Sequence, residues 1–463
     1  MRPLYVAVVG SGPSGFYAAA ALLKQREPAI HVDVLERLPT PWGLVRFGVA
    51  PDHPKIKSVS AVFDKTAAHE RFRFFGNIEL GRDVEAAELA ARYDAVVYAL
   101  GAPADKRLGV PGEHLAGSVA AGDLVGWYNG HPDHTGVPVA EYLTARRAVV
   151  IGNGNVALDI ARMLAMPAQE LRATDIADHA IPVLERSSIT EVVVVGRRGP
   201  LQAAFTPAEL RELGALDGVD VRVDPADLEA VSDADAEAAG STVALNIAAL
   251  REFARREPAP SARRTITLRF CSSPVELRGD DRVRSIVLER NALHTGEDGR
   301  VLAEPTGDRE ELAAGLVIRA VGYRGIPCPG LPFDERRGVI PHVDGRIEGR
   351  RHEYVSGWIK RGPSGIIGTN KKCAGDTVKT LLADLASAEL PARDPDHHRH
   401  LAEWIRSRRP GLVTYDQWQV VDAHERALGE PAGRPRVKLC SIPELLRVAH
   451  SRAGQPTTGR KTT

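Results

Sequence analysis

The sequence predicts an α/β fold with two Rossmann-like domains, the second inserted into the first. A short β-branched strand, "YVAVV", is followed by the glycine turn "GSGPSG" and by a stretch of helical composition. The same succession of strand, turn and helix starts again with "RAVVIGNGNVALDIARML". Another apolar strand, "EYVSGW", lies beyond this second unit, so we expect C-terminal residues to complete the first domain. The expected domains are 1–105 with 322–463, and the inserted 106–321.

The remaining elements of the first domain follow in order. "HVDVLER" has strand character and completes a βαβ unit, and "YDAVVYALGA" reads as a further buried strand. Between them lies a long loop rich in Pro and Gly, residues 38–57, whose apolar side chains argue against disorder. A loop of this length inside a compact domain is usually functional.

The inserted domain shows the same alternation. "EVVVVGRRGP" is the next strand, and "TITLRF", "VRSIVLER" and "GLVIRAVGY" look like later strands, some of them in a small antiparallel insertion. Residues 233–258 are expected to form a helix, and "DTVKTLLADLASAEL" another near the C-terminus. The small, polar tail 451–463 has the composition of a disordered segment.

Charge and hydropathy exclude some classes of protein. Among 463 residues, 60 Lys and Arg balance 60 Asp and Glu, so net charge favours no particular partner and no nucleic acid. The sequence contains no run of about 18 apolar residues, so no membrane span is predicted. The apolar N-terminal stretch is interrupted by glycines and a proline, which fits a strand better than a signal peptide. We expect a cytoplasmic protein, with a monomer as the default.

The cysteines and histidines give no reason to expect a metal. The four cysteines are far apart and no CxxC occurs, which argues against a zinc ribbon, an iron–sulfur cluster or a vicinal redox disulfide. The histidines of "DHHRH" lie on a polar stretch, where we expect surface residues. We assign no metal site.

The first glycine turn predicts a dinucleotide site. Gly10, Gly12 and Gly15 have the GxGxxG spacing, in which the glycines permit a tight turn, a close approach of pyrophosphate and helix–strand packing. The following helix presents free N–H groups to phosphate. Glu36, at the end of the next strand, can accept hydrogen bonds from the hydroxyls of an unphosphorylated ribose. The spacing alone fits FAD or NAD.

The second turn differs from the first in the residues at the end of the next strand. Gly152 and Gly154 repeat the pattern, with Ala157 at a position that needs only a small side chain. Arg197 and Arg198 stand where the first unit has its acid, and two guanidiniums suit a 2′-phosphate. The alternative is a solvated arginine pair at a strand end. If this turn binds NADP(H), FAD becomes the natural ligand of the first, and hydride transfer links the two.

Longer stretches add a resemblance to a known family. "PTPWGLVRFGVAPDHPKIK", "GNGNVALDIAR", "VVGRRGPLQAAFTPAELREL" and above all "GWIKRGPSGIIGTNKK" closely resemble the adrenodoxin reductase type of ferredoxin–NADP reductase, including its bacterial members. The resemblance covers residues 3–449 in the same order. It implies a two-domain flavoprotein enzyme that moves hydride from NADPH to FAD and passes single electrons to a ferredoxin-type iron–sulfur protein.

The resemblance also implies roles for individual residues. Those matching FAD contacts are Ser14, Glu36, Leu44, Leu80 or Val84, Trp358, Gly365, Ile366 and Ile367. Those matching NADP contacts are Arg107, Asn153, Gly154, Asn155, Val156, Arg197, Arg198 and Glu209. His53 and Glu212 match polar residues near the contact of nicotinamide with flavin. Hydride transfer needs alignment more than an acid or base, so these two are expected to modulate the reaction.

The expected partner and the rival functions complete the hypothesis. Ferredoxins are generally acidic, so a basic dock is expected. Its candidates are Arg251, Arg255, Arg256, Arg263, Arg264, Lys360, Arg361, Lys371 and Lys372. A thioredoxin reductase-like enzyme would need the CxxC that the chain lacks. A flavin-dependent monooxygenase and a non-catalytic FAD/NADP redox sensor stay open as alternatives on the glycine turns alone.

Overall fold

The computed structural model describes residues 2–451, which form two compact units. The first unit contains 2–104, 129–132 and 323–451, and the second contains 105–128 and 133–322. Residues 452–463 of the predicted disordered tail lie outside the described residues. In the part of the chain that is described, no helix is long and apolar enough to cross a membrane.

The N-terminal segment alternates strands and helices. Its strands are β1 (Leu4–Val9), β2 (Ile30–Glu36), β3 (Phe72–Gly76), β4 (Ala95–Tyr98) and β5 (Ala104–Asp105). Its helices are α1 (Pro13–Leu23), α2 (Leu44–Phe47), α3 (Pro54–Lys57), α4 (Ser60–Ala67) and α5 (Ala86–Arg92). The loop 38–57 is therefore ordered and contains two one-turn helices.

The middle segment has nine strands and nine α-helices among its described residues. The strands are β6 (Ser118–Ala120), β7 (Arg147–Ile151), β8 (Glu191–Val195), β9 (Val219–Val223), β10 (Arg264–Arg269), β11 (Ser272–Arg278), β12 (Ser285–Thr295), β13 (Val301–Ala313) and β14 (Leu316–Arg319). The helices are α6 (Ala121–Asn129), α7 (Val139–Tyr142), α8 (Asn155–Ala165), α9 (Ala168–Leu171), α10 (Ala180–Glu185), α11 (Pro207–Leu213), α12 (Ala226–Glu229), α13 (Asp233–Ala238) and α14 (Ser241–Arg255).

The C-terminal segment is mainly helical. Its short strands are β15 (Tyr323–Arg324), β16 (His342–Val343), β17 (Arg346–Ile347) and β18 (Glu353–Val355). Its helices are α15 (Trp358–Arg361), α16 (Ile367–Ser387), α17 (His397–Arg408), α18 (Tyr415–Gly429) and α19 (Ile442–Ala449).

The first unit is built on a seven-stranded sheet in the order β16-β17-β18-β4-β1-β2-β3. The five strands from β18 to β3 are parallel, with Val8 opposite Val34 on one side and Val97 on the other. Side chains of successive residues enter opposite layers, so Val8 packs with α1 and α16 while Val9 faces the layer that contains α17. Because β18 pairs with β4, C-terminal residues complete the first unit, as the sequence predicts.

The second unit is built on a six-stranded parallel sheet in the order β6-β14-β7-β8-β10-β9. Val149 and Val150 on β7 enter two separate apolar layers. A three-stranded antiparallel sheet, β11-β12-β13, is inserted before β14. The predicted insertion is therefore present, with "VRSIVLER" in β12, whereas "TITLRF" forms β10 of the parallel sheet.

The helix expected over 233–258 is wrong in one respect. The segment forms two helices, α13 and α14, that are separated at Gly240. Gly240 has a φ of 108°, which a non-glycine residue rarely adopts and which a continuous helix does not permit. The apolar periodicity persists through the break because both helices bury one face, and this concealed the break in the sequence.

Candidate functional site

The first glycine turn lies at the carboxyl end of β1, and its packing needs the first and third of its glycines. Gly10 has a φ of 102°, and a Cβ there would lie 2.4 Å from the Ala99 carbonyl oxygen. A Cβ at Gly15 would lie 1.9 Å from the carbonyl oxygen of Gly10. At Gly12 nothing lies within 4 Å of a Cβ position, so the turn opens onto free space. The first and third glycines allow the turn to pack, and the second allows a ligand to approach.

Helix α1 begins directly at this opening. Its N-cap is Gly12 and its first residue is Pro13, which has no N–H to leave unpaired. No side chain caps the helix, so the next N–H groups face the opening. Such a helix terminus favours a phosphate group.

Glu36 is held beside the turn by Ser11, a residue that the sequence analysis did not single out. The buried Ser11 donates to one Glu36 carboxylate oxygen from both its backbone N–H, at 3.0 Å, and its Oγ, at 2.7 Å. The other oxygen accepts the N–H of Leu38 at 3.0 Å. A carboxylate has about four lone-pair sites, so these three hydrogen bonds leave Glu36 about one site for a ribose hydroxyl. The signal for Ser11 was its place between the two glycines.

The loop 38–57 lies over the same turn. The N–H of Trp42 donates to the Ser11 carbonyl at 3.0 Å, and a Cβ on Gly43 would lie 3.0 Å from the Gly12 Cα. Leu44 starts α2 with 42% of its surface exposed. The buried hydroxyl of Thr40 has no hydrogen-bond partner among the described residues. An unpaired buried hydroxyl beside an open glycine turn fits a site completed by a polar ligand.

A buried ion pair holds this loop to the C-terminal helices. Arg46 on α2 donates two hydrogen bonds, of 2.8 and 2.5 Å, to the Glu425 carboxylate on α18, and both side chains are almost inaccessible to solvent. Glu425 also accepts the N–H of Leu439 at 2.8 Å and a hydrogen bond from Arg436 at 3.3 Å. Burial opposes the positive charge of Arg46, but the Glu425 carboxylate outweighs it and raises the pKa of the guanidinium. No sequence motif marked this pair.

The segment around residue 358 meets α1 of the same unit. The hydroxyls of Ser14 and Ser356 are 2.8 Å apart, and a Cβ at Gly357 would lie 2.7 Å from the Ser14 Oγ. Trp358 stacks on Tyr323 with ring centroids 5.8 Å apart. Its buried indole Nε1 has no hydrogen-bond partner within residues 2–451. The structure thus brings Ser14 and the start of the 357–367 segment together.

The "GPSGIIG" stretch ends in a long helix. Gly365 has a φ of 77°, and a Cβ there would lie 2.5 Å from Thr369 Oγ1. Ile366 is 67% exposed, and Ile367 is the first residue of the 21-residue α16. The N–H of Ile366 donates to Thr369 Oγ1 at 3.2 Å. The positive end of a long helix dipole therefore lies at the residues predicted to adjoin a flavin.

Three other residues of the first unit that are predicted to be functional are buried or half-buried in the protein. Val84 is buried in the apolar core, so its side chain packs against protein atoms, and Leu80 is half-buried beside it. His53 is buried and directly precedes α3, with its N–H donating to the carbonyl of Ala50 at 3.1 Å. The functional roles of these residues stay predictions.

The second glycine turn follows β7. Gly152 has a φ of 135°, and a Cβ there would lie 2.2 Å from the Ala320 carbonyl oxygen. Gly154 is the uncapped N-cap of α8, and Ala157 is fully buried. Asn155 accepts the N–H of Thr206 at 2.8 Å through its side-chain oxygen, which fixes the start of α8 against the 200–206 segment. Like the first turn, this one leaves helix N–H groups free for a phosphate.

The neighbouring strand end carries the predicted arginines. Arg197 is exposed and Arg198 half-buried, just after β8. Their backbone carbonyls accept hydrogen bonds from Asn291 Nδ2, at 2.8 Å, and from the N–H of Cys271, at 3.1 Å. Neither guanidinium has a hydrogen-bond or ion-pair partner among the described residues. Two unpaired guanidiniums at this strand end suit a phosphate better than they suit a structural role.

Asn153 lies within this turn. A Cβ at Gly196 would lie 2.6 Å from the Asn153 Nδ2, so the amide side chain packs on the glycine between β8 and the arginine pair. Arg107 is exposed. Val156 is half-buried and packs against the core of the unit.

Glu209 and Glu212 share an arginine that sequence reasoning missed. Arg162 on α8 is buried, and its guanidinium lies 3.3 Å from Glu209, 3.5 Å from Glu212 and 2.7 Å from Asp159. Thr206 caps α11 and accepts the N–H of Glu209. The two glutamates are three residues apart, which places them on one face of that helix. The signal for Arg162 was a charged residue in the buried stripe of an apolar helix.

The basic residues proposed as a dock are not equivalent. Arg264 and Arg361 are half-buried, and burial lowers the pKa of each guanidinium. Arg251 is tied to Asp233 and Arg256 to Glu252. Lys371 and Lys372, on the first turns of α16, are exposed and have no ion-pair partner in the described chain.

Two glycine turns lie at the carboxyl ends of parallel strands, and each is followed by a helix whose N-terminus no described side chain caps. This arrangement defines a two-nucleotide α/β oxidoreductase fold. Among the described residues, three features fit two bound dinucleotides: the open space at Gly12, the unpaired polar atoms of Thr40 and Trp358, and the unpaired arginines after β8. Comparison with known proteins supports this class of fold. The family described as pyridine nucleotide-disulphide oxidoreductase matches residues 4–348.

Proteins similar to this chain include ferredoxin and adrenodoxin reductases. The NADPH-ferredoxin reductase FprA of Mycobacterium tuberculosis (strain ATCC 25618 / H37Rv) is 58% identical, over 97% of this chain and 99% of that protein. The mitochondrial NADPH:adrenodoxin oxidoreductase of Arabidopsis thaliana is 40% identical, over 97% of this chain and 96% of that protein. A solved structure of Mycobacterium tuberculosis FprA in complex with NADPH has a TM-score of 0.95 at 57% identity, covering 97% of this chain and 100% of that one.

The chain therefore belongs to the pyridine nucleotide-disulphide oxidoreductases and, within them, to the adrenodoxin reductase type of ferredoxin–NADP reductase. The family, the two-domain fold, the FAD and NADP(H) cofactors and the oxidoreductase class that the sequence predicts are confirmed.

Proposed function

We propose that the protein is an FAD-dependent NADPH:ferredoxin oxidoreductase. The proposal is carried by the opposite charges at the ends of β2 and β8, the strands that follow the two glycine turns. In the first unit a carboxylate, Glu36, follows the glycine turn. In the second, Arg197 and Arg198 take the equivalent place, with guanidiniums that are unpaired within residues 2–451. A carboxylate repels a 2′-phosphate and the guanidiniums bind one, so FAD occupies the first turn and NADP(H) the second.

The first unit would hold FAD through the residues around its turn. Gly10, Gly12 and Gly15 admit the pyrophosphate, and Glu36 receives the adenosine ribose. Bound FAD supplies the chemistry that accepts hydride and releases electrons singly. The N-terminus of α16, with Gly365, Ile366 and Ile367, would stabilise negative charge on the ring system, because helix N–H groups and the helix dipole point there. Ser14, Leu44 and Trp358 would shape the walls of this site.

The second unit would bind NADPH reversibly. Asn153, Asn155 and Val156 lie at or just after the turn, where backbone N–H groups meet the pyrophosphate. Arg197 and Arg198 would bind the 2′-phosphate, with exposed Arg107 as a further cation. Glu209 is held by Arg162, so its carboxylate is fixed in orientation.

His53 and Glu212 are proposed to modulate the reaction. Glu212 lies 3.5 Å from the guanidinium of Arg162. Hydride transfer depends on alignment, so we expect His53→Ala to alter the rate of flavin reduction without abolishing it. An unchanged rate in stopped-flow measurements would remove His53 from the mechanism.

A ferredoxin is the proposed electron partner. The names of the similar proteins from Mycobacterium tuberculosis and Arabidopsis thaliana include ferredoxin and adrenodoxin reductases. Exposed Lys371 and Lys372 lie on the helix that begins at the flavin segment, which suits an acidic partner there. The proposal also includes a monomeric state, a cytoplasmic location and the domain bounds 1–105, 106–321 and 322–463. These three points rest on the sequence alone.

Electron transfer to ferredoxin tests the proposed function. The holoprotein is mixed with NADPH and cytochrome c, with and without a ferredoxin, and cytochrome c reduction is followed at rising salt. We expect rapid reduction only with ferredoxin, and a rate that falls with salt. Substrate-dependent oxygen consumption without ferredoxin would indicate a monooxygenase. Absence of turnover with any acceptor would indicate a sensor.

A further inference from the structure

A cleft of about 540 Å³ opens in the second unit, away from its glycine turn. Three segments that are distant in sequence form its walls: 141–147, 282–284 and 313–315. Its volume lies within the range of small-ligand sites, about 300–1,000 Å³.

The cleft lies at the opposite end of the sheet from the proposed NADP(H) site. Arg147 lines the cleft and is the first residue of β7, whereas Gly152 follows the last residue of that strand. A parallel strand advances about 3.3 Å per residue, so the two places are roughly 16 Å apart. The cleft is therefore a separate site.

The lining of the cleft is strongly basic. Glu141 is the single acidic residue among its lining residues, and four arginines also line it: Arg146, Arg147, Arg282 and Arg284. The whole chain has balanced charges, so this is a local excess. Like charges gathered in a concave surface repel one another and attract an anion.

Most of these guanidiniums are not neutralised by the protein. Arg147 is occupied, since it binds Glu191 at 2.7 Å and the Ala313 carbonyl at 3.0 Å. Arg282 lies 3.8 Å from its nearer carboxylate, that of Glu141, which is a weak contact. Arg146 and Arg284 are exposed and have no side-chain partner among the described residues.

We propose that this cleft binds a small phosphate-bearing anion, held by Arg146 and Arg284 with Arg282 beside them. The planar guanidinium fork matches phosphate oxygens in two-point contacts, and paired forks are the usual arrangement for such groups. The concave shape favours a small anion over the flat face of an acidic protein. The site is independent of the proposed electron transfer, because neither glycine turn contributes to it.

Calorimetry with inorganic pyrophosphate tests the proposal. The holoprotein is first saturated with NADP⁺, so that the arginines after β8 are occupied, and pyrophosphate is then titrated at low salt. We expect one further binding event, weakened at least about tenfold in the double variant Arg146→Ala/Arg284→Ala. The control Arg186→Ala/Arg300→Ala removes two exposed charges of the same unit outside the cleft and leaves binding unchanged.

The outcomes separate the alternatives. Tighter binding of adenosine monophosphate than of inorganic phosphate would identify a nucleotide, and equal binding would identify the phosphate group alone; both support the site. No further binding event, or equal weakening in both double variants, would overturn it. Ferredoxin binding that depends on Arg146 and Arg284 without pyrophosphate binding would overturn it in favour of a protein dock.

Discussion

In the proposed function, single residues decide which nucleotide each turn accepts. Ser11 fixes Glu36 through two hydrogen bonds, so a carboxylate stays beside the first turn. Arg197 and Arg198 remain unpaired beside the second, within the described part of the chain. The two turns have nearly the same backbone geometry, and the charge at the next strand end distinguishes them.

Removing the arginine pair should alter the preference for the nucleotide. In Arg197→Ala/Arg198→Ala we expect KM for NADPH to rise about tenfold or more, because charge-assisted contacts to the 2′-phosphate are lost. KM for NADH, which has no such phosphate, should stay the same. Steady-state kinetics with both nucleotides measure this, with Arg186→Ala as the control. Equal effects on NADH and NADPH would show that the pair does not read the phosphate.

Arg162 is expected to contribute strongly to stability. Its buried guanidinium lies 2.7 Å from Asp159 and 3.3 Å from Glu209, and Arg162→Met removes both ion pairs. We expect a loss of about 3–5 kcal/mol in urea unfolding. The control Arg172→Met removes an exposed pair with Glu185 and should cost about 0–1 kcal/mol. Similar losses in the two variants would contradict the role given to Arg162.

At the scale of elements, α18 holds the loop over the first turn. Arg46 and Glu425 form a pair that solvent scarcely reaches, and α2, which carries Arg46, follows directly on Gly43 beside the turn. Displacing α2 would therefore displace the wall of the proposed FAD site.

Breaking this pair should loosen FAD. Glu425→Ala removes the carboxylate that accepts both hydrogen bonds of the buried Arg46 guanidinium, and we expect about 3–5 kcal/mol of lost stability together with faster FAD release. FAD fluorescence during dilution measures the release, and thermal unfolding measures the stability. Glu430→Ala, an exposed residue after the same helix, is the control. Lost stability with unchanged FAD release would show that the pair supports the core and not the FAD loop.

At the scale of the whole molecule, a histidine cluster makes stability depend on pH. The polar stretch "DHHRH" predicts surface histidines, but His397 and His398 on α17 are half-buried against Tyr5 and His31. That expectation is wrong for His397 and His398, which pack against residues of the sheet, and is confirmed for exposed His400. Burial, reinforced by the charge of Arg73, lowers the pKa of His398 to about 4, and Asp33 opposes this shift.

Acid should therefore destabilise the protein through this cluster. Between the ordinary histidine pKa of 6.5 and the folded value of about 4, the unfolded chain binds a proton that the folded chain does not. The unfolding temperature should fall as pH drops through that window. His398→Gln should flatten the profile, and exposed His400→Gln should not. Identical profiles for both variants would contradict this account.

Much of the fold is predictable from the sequence, and the reasons are physical. The glycine turns and valine-rich strands predict both parallel sheets, because their spacing follows from strand and helix geometry. The break at Gly240 escapes prediction because the apolar periodicity persists through it. Strands β3, β11 and β13 escape it because their side chains follow no clear period. Ser11, Arg46 and Arg162 escape it because their partners are distant in sequence or depend on tertiary packing.

The central claim is that NADPH, and not NADH, delivers hydride to FAD held in the first unit. Anaerobic stopped-flow mixing of the yellow holoprotein with each nucleotide measures it directly, by bleaching of the flavin absorbance. We predict fast bleaching by NADPH and much slower bleaching by NADH at equal concentration. Equal rates, or a preference for NADH, would contradict the roles assigned to Arg197 and Arg198.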